Sequence, residues 1–522
     1  MNTIPKFSGI LLLATLLGCA TMQSDGTGSQ DPSADTSASA TASGASAPMT
    51  TRADATVQTT QSPSTPHPLE GLQFPEPRPF SVPEVERFEF NGIEFFLLHN
   101  PELPLVSLQV VMQGGSWMDP HEKTGLADLA GSVWRSGGSV QYPEEELNEL
   151  LESRAASIET SFGLTSGSAS LSVLSEDFSS LLSIFTDFLA NPLFPEQRLE
   201  LERMRQLTAI SRRNENPGPV ANREFRKLVY GGESVYARTA EMATLQRITR
   251  DDLIDFHSRV VQGSGMVVGV TGDYDREQIH TQLREAFAGF DEHVADHSEL
   301  PEVEYTFEEG LYFAHKGDMT QSQIRLGHLA GFRDNPDYAA LQVLNEILSG
   351  GFSGRLLQEV RTRQGLAYSV FGVYASGIHY PGIFYAGLST AAENTEQAVQ
   401  ATLHEIRRLQ QERVSEEELE QTKERIFNRI IFRYDSYGRI LGEQLGNHLN
   451  GLPTDAFDQY ISEVQQVQVE DIYRVANEYV HTDALKILIV GNRELIADQL
   501  ESMGTYTEVD ISIPMPGQAM NQ

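Results

Sequence analysis

Gly125-Leu126-Ala127-Asp128-Leu129-Ala130-Gly131-Ser132 reads as one face of a helix, with positions 128, 131 and 132 inside a single turn. Two imidazoles one turn apart, with a carboxylate beside them, would hold Zn²⁺ there and activate a water molecule. This chain has Asp128, Gly131 and Ser132 at these positions, one carboxylate and no imidazole. A lone carboxylate is a weak zinc site. Capping or local pairing is the expected role of Asp128, and the chain is expected not to hold a catalytic zinc by itself.

A second stretch lies far downstream: Gly350-Gly351-Phe352-Ser353-Gly354-Arg355-Leu356, then Arg361, then Gly365-Leu366-Ala367-Tyr368. Arg361 and Tyr368 are seven residues apart. A guanidinium offers a planar fork of donors to a carbonyl or main chain. A phenol can donate a hydrogen bond to a developing oxyanion. The plainer alternative pairs Arg361 with a surface acid and makes Tyr368 a strand aromatic. The glycines suit a tight turn between helices, and the Lys-Ser/Thr ending of a phosphate loop is absent.

Both frames resemble the insulinase/pitrilysin family of inverted-zincin metallopeptidases, over about Val85 to Leu500. The family's zinc helix reads G-L-x-H-x-x-E-H, which puts Asp128 and Ser132 at its two histidines and Gly131 at its glutamate, and its downstream motif carries an Arg and a Tyr at this spacing. Counting back from Glu215-Asn216-Pro217 puts Ala209 at the family's third zinc ligand. The resemblance therefore implies a member with its zinc motif lost and its Arg/Tyr motif kept. Some members work as two different chains, one bringing the zinc helix and the other the Arg/Tyr pair. Arg361 and Tyr368 would then act in trans, beside a zinc held by a homologous peptidase subunit, on peptide substrates. No cofactor is expected on this chain itself. A peptide-binding or scaffold protein with no cleavage is the alternative.

The expected fold class is α+β, with two homologous α+β halves arranged like a clamshell, as the resemblance implies. Residues support a duplication. Asp252 and Asp471 each open a helix, and Gly272 and Gly491 each end an apolar strand, both at an offset of 219 (471 − 252 and 491 − 272). Expected strands include a hairpin about Asn91-Gly92, then 105–112, 157–162, 168–174 and 266–272. The second half repeats them at 310–316, 322–329, 367–375, 382–389 and 485–491. Helices are expected at 122–135, 144–156, 178–190, 195–213, 337–348, 395–411 and 416–433.

The 522 residues carry 73 acidic and 38 basic side chains, a net charge of −35. No basic patch suits a phosphate backbone, so nucleic acid is disfavoured as a partner. The one cysteine, Cys19, follows an apolar run, Ile10 to Leu17, and Gly18. Leu16-Leu17-Gly18-Cys19 resembles the bacterial lipobox, which implies a signal peptide over 1–18 and a lipid anchor on Cys19. Ala20 rather than Asp follows it, which favours the outer membrane, with the protein facing the periplasm. Residues 19–68 are Ser/Thr/Ala-rich with few large apolar side chains and are expected to be a disordered tether. An N-terminal domain is expected over 69–289, an acidic linker over 290–304 and a C-terminal domain over 305–510. His293 and His297 in that linker are expected to be part of a solvated acidic run. His121-Glu122 lacks a second histidine and is expected to be loop.

Overall fold

The computed structural model describes residues 83–290 and 300–514. Cys19, the expected signal and tether segments, and His293 and His297 lie outside the described residues.

The first half opens with strands β1 (Glu86–Phe90) and β2 (Ile93–His99), joined as an antiparallel hairpin. Asn91 and Gly92 both adopt positive φ, 53° and 73°, the conformation a two-residue turn demands and these two residues tolerate best. β3 (Leu105–Gln113), β4 (Ser157–Phe162), β5 (Ser166–Leu174) and β6 (Met266–Gly272) complete a sheet in the order β1-β2-β6-β3-β5-β4. The second half contains β7 (Gly310–His315), β8 (Gln321–Leu329), β9 (Ser369–Tyr374), β10 (Ile383–Ala391), β11 (Lys486–Gly491) and β12 (Thr507–Glu508). Its sheet runs β12-β7-β11-β8-β10-β9. The two orders match strand for strand, except that β12, parallel to β7, takes the edge that antiparallel β1 holds in the first half. The expected pair of repeated α+β halves is therefore what forms.

The helices of the first half are α1 (Leu126–Gly137), α2 (Glu144–Ser153), α3 (Phe178–Ala190), α4 (Glu196–Arg212), α5 (Pro217–Tyr230), α6 (Met242–Arg247), α7 (Arg250–Val260) and α8 (Ile279–Ala286). The second half supplies α9 (Tyr338–Ser349), α10 (Thr395–Gln411), α11 (Glu416–Asn428), α12 (Ile430–Arg433), α13 (Tyr437–Leu449), α14 (Ala456–Gln466), α15 (Val469–Tyr479) and α16 (Arg493–Met503). The repeat markers have a structural cause. Asp252 and Asp471 are each the third residue of a helix, accepting the N–H of Thr249 and Gln468 respectively in matching capping boxes.

Two expectations need correction. The continuous helix expected over 416–433 breaks at Arg429 into α11 and α12. The helix expected from residue 122 starts at Leu126, because His121–Lys123 is a separate 3₁₀ turn.

Each sheet buries one face under its own helices. Phe95, Leu97, Leu108, Val110 and Val268 meet α1, α3 and α7 in the first core, and Ile324, Leu326, Phe384 and Ile489 play that part in the second. The opposite faces are covered by exchange. Helix α13, from the second half, lies on β2, β6 and β3, and α5, from the first half, lies on β8 and β11. A Cβ on Gly269 of β6 would come within 2.7 Å of Leu445, so the bare glycine lets α13 seat closely. Val220, Ala221, Phe225 and Val229 of α5 form a third core with Ala314, Leu488 and Val490.

Candidate functional site

Asp128, Gly131 and Ser132 stand together on α1, which packs against β4 and against α4. Ala209 lies in the last turns of α4, exposed. Asn216 begins α5 after it, its side chain accepting the Gly218 N–H (3.2 Å), with Pro217 as the first helical residue.

The geometry of α1 shows what surrounds these positions. Gly131 is buried, and a Cβ there would lie 3.2 Å from Cδ2 of Phe162. The Phe162 ring is stacked on Trp134 (6.2 Å between centroids) and meets Phe256 edge-on (4.9 Å). On its other side it lies against Gly167, where a Cβ would overlap it at 2.2 Å. The ring thus occupies the room a longer side chain at position 131 would need. Ser132 Oγ donates back to the Asp128 carbonyl (2.9 Å), the ordinary bond of a helical serine. These residues do not fit a zinc ion. Among the described residues, no group of three His, Cys, Asp or Glu is placed to hold a metal.

Capping of α1 falls to a residue the sequence did not single out. Asp119 is only 3% exposed, and its carboxylate accepts the N–H of Gly125 (2.8 Å) and of Ala127 (3.0 Å). A carboxylate at a helix N-terminus is favoured by both bonds and dipole. Burial nevertheless pushes its carboxyl up to about 7; the two N–H groups pull it down, Asp128 adds to the rise, and Arg238 opposes it. Asp128 was expected to cap or pair, and it does neither: its side-chain oxygen atoms have no hydrogen-bond or ion-pair partner among the described residues. It has an accessible side chain, yet protein surrounds it densely enough to raise its carboxyl as well. Capping from six and eight residues upstream leaves no local pattern, which is why Asp119 was missed.

Arg361 lies in a π-helical segment, Leu357–Arg363, entered through the turn at Gly350–Gly354, where Gly351 has φ 57°. Such wide turns are uncommon and recur at functional sites. Arg361 is exposed and makes no ion pair among the described residues; the nearby acid Glu359 is taken by Arg363 (2.6 Å). Tyr368 immediately precedes β9. Its backbone N–H donates to the Ser389 carbonyl (2.9 Å), while the residue is 75% exposed. Among the described residues, neither the Arg361 guanidinium nor the Tyr368 phenol has a hydrogen-bond or ion-pair partner. No hydrogen bond joins this pair to the α1 set among the described residues.

A cleft of about 850 Å³ lies beside α5 and the C-terminal residues 508–514, but contains none of these positions. Its charges are largely spent on one another, as in Arg213–Glu241, Arg223–Glu224 and His121–Glu233. His121, expected in a loop, lies in a short 3₁₀ turn and is paired with Glu233.

Residues 95–240 match the model of Insulinase (Peptidase family M16), and residues 247–426 match that of the Peptidase M16 inactive domain. An uncharacterized zinc protease of Rickettsia bellii is 23% identical over 415 residues, covering 77% of this chain and 96% of that protein. The non-peptidase homolog YmxG of Helicobacter pylori is 22% identical over 402 residues, covering 76% and 91%. A solved peptidase M16 inactive domain from Pseudomonas fluorescens superposes with a TM-score of 0.70 at 23% identity, over 78% of this chain and 98% of that one.

Proposed function

Because the chain is built of M16 insulinase-family domains, we propose that it is the non-zinc subunit of a two-chain metallopeptidase. A homologous partner supplies the metal and its ligands. This chain completes the peptide-binding space and presents Arg361 and Tyr368 to the partner's site. The observation that carries this reading is a contrast between the two motifs. Phe162 crowds position 131 of α1, where no ligand stands, whereas Arg361 and Tyr368 are exposed and their donors have no partner among the described residues. Arg361 holds a substrate carbonyl through its fork, and the Tyr368 hydroxyl donates to the oxyanion formed during hydrolysis. Lipidation of Cys19 anchors the chain to the bacterial envelope, with the folded part in the periplasm at the end of its tether.

The test is the zinc content and peptide-cleaving activity of the purified chain, alone and mixed with an H-x-x-E-H-bearing homologue from the same organism. Activity only in the mixture is expected, with no zinc on this chain. Zinc-dependent cleavage by the chain alone would overturn the reading. In the active mixture, Tyr368→Phe should lower turnover about 10²–10³-fold with assembly intact, the usual cost of removing an oxyanion donor.

A second reading has its own support, since a relative is named a non-peptidase homolog. In it the chain binds peptide or serves as a scaffold and no cleavage occurs. Stable assembly with the homologue, and no activity in any mixture, would favour it.

A further inference from the structure

Arg325 of β8 is 4% exposed. Its neighbours Ile324 and Leu326 point into the core of the second half, so Arg325 points to the opposite face of the sheet, where α5 lies. There its Nε–H donates to Asn222 Oδ1 of α5 (2.7 Å) and an Nη1–H donates to the Ile324 carbonyl (2.8 Å). A guanidinium has five N–H groups, so two uses leave three. No carboxylate lies within ion-pair distance among the described residues. That sets it apart from three of the buried carboxylates: Glu224 is paired with Arg223 and Lys227, Glu346 with Arg425 and Arg429, and Glu405 with Arg408. Burial draws the guanidinium down to about 10, opposed by Tyr385, and it is still charged at neutral pH.

A buried cation without an anion is costly, and a well-packed apolar side chain is often as good for stability. The surroundings hold it ready all the same. Its guanidinium carbon lies 5.4 Å from the centre of the Phe371 ring, a contact that retains a cation and orients its plane. Gly387 of β10 pairs with both Arg325 and Phe371, and a Cβ there would strike the ring at 2.4 Å. The glycine thus lets Phe371 lie across β10 towards Arg325. Tyr385 stands edge-on to Phe371 at 5.8 Å. Of the residues around the guanidinium, Asn222 is exposed and Phe371 and Tyr385 are half-buried.

We propose that Arg325 is a carboxylate-recognition site for the peptide this chain binds, taking an acidic side chain or the peptide's terminal carboxylate. This rests on the peptide-binding reading given above. The remaining N–H groups form the fork that a carboxylate matches with two parallel bonds, and the two rings flank the carbon chain behind it. The site sets a specificity opposite in sign to the protein's overall field. A net charge of −35 favours the more positive of two peptides. Arg325 favours the one with a carboxylate to place.

That opposition gives the test. One fluorescent peptide is made in three forms: internal Glu with an amidated C-terminus, internal Gln with a free C-terminus, and internal Gln amidated. Affinity is read by anisotropy for the full chain, alone and paired with the zinc-bearing homologue. The form without a carboxylate should bind about tenfold or more weakly than one of the other two, and the tighter form identifies the source. The preference should persist at high salt, because the site is buried. Arg325→Gln should abolish it, and Arg325→Lys should keep only part, since an ammonium lacks the fork. Wild-type affinities that are equal, or highest for the carboxylate-free peptide, would overturn the inference while leaving peptide binding intact. Binding of no peptide in either sample would overturn the peptide-binding reading, and the inference with it.

Discussion

A single carboxyl, that of Asp119, couples the stability of α1 to pH. Burial raises it to about 7, while an unfolded aspartate releases its proton near 4. Between those values the folded chain holds a proton that the unfolded chain has lost. Stability is therefore full below the unfolded value and falls as pH rises through about 7. At about 1.4 kcal/mol per pH unit, the whole window is worth up to about 4 kcal/mol. Asp119→Asn cannot titrate and keeps one acceptor for the helix N-terminus. Urea midpoints taken from pH 5 to pH 8 should fall for the wild type and stay flatter for the variant. Parallel slopes would show that other groups carry the dependence. Asp128, also raised, contributes in the same direction.

At the level of elements, α1 and the β4–β5 hairpin are fitted together through one ring. Phe162 is held between Gly131 and Gly167, with Trp134 and Phe256 closing the sides. Gly131→Ala would gain about 1 kcal/mol of helix propensity. It would also press on a ring that cannot retreat into Gly167, and overpacking costs about 1–3 kcal/mol. We expect net destabilisation by chemical denaturation. In a Phe162→Leu background the sign should reverse, because the smaller side chain gives way. Restoring the zinc motif by substitution at 128, 131, 132 and 209 would meet the same obstruction. The absence of histidine and glutamate at positions 128, 131 and 132 was legible in the sequence, because it shows in the residues themselves. The crowding of position 131 was not, because Phe162 is 31 residues from Gly131 in sequence and only the packing of α1 on β4 brings it there. Strands and most helices were legible from alternation and apolar periodicity. Helices α5, α6, α8, α13, α14 and α16 were not; the apolar faces of α5 and α13 answer to the sheet of the other half, and Asn-Pro at 216–217 served only as a counting mark.

That exchange governs the behaviour of the whole molecule. Phe96 and Leu98 lie on the side of β2 away from the first core, buried where α13 crosses the sheet. His448 of α13 meets Phe96 edge-on at 5.4 Å, and Arg87 reaches Gln444 across the same seam (2.9 Å). Burying a large apolar side chain contributes about 1.5–3 kcal/mol, so uncovering Phe96 and Leu98 alone removes about 3–6 kcal/mol. A typical domain has only about 5–15 kcal/mol in all. The second half depends on α5 in the same way, through Phe225 and Val229 against Leu488 and Val490. The halves look like separate domains by repeat, yet neither carries the helix that closes its own sheet. Calorimetry of the full chain should therefore give one transition, with calorimetric and van't Hoff enthalpies equal. Fragments 83–290 and 300–514 should aggregate or stay unfolded when made alone and should fold when refolded together. Two transitions, or a fragment that folds unaided, would mean that the exchanged helices add contact without adding dependence.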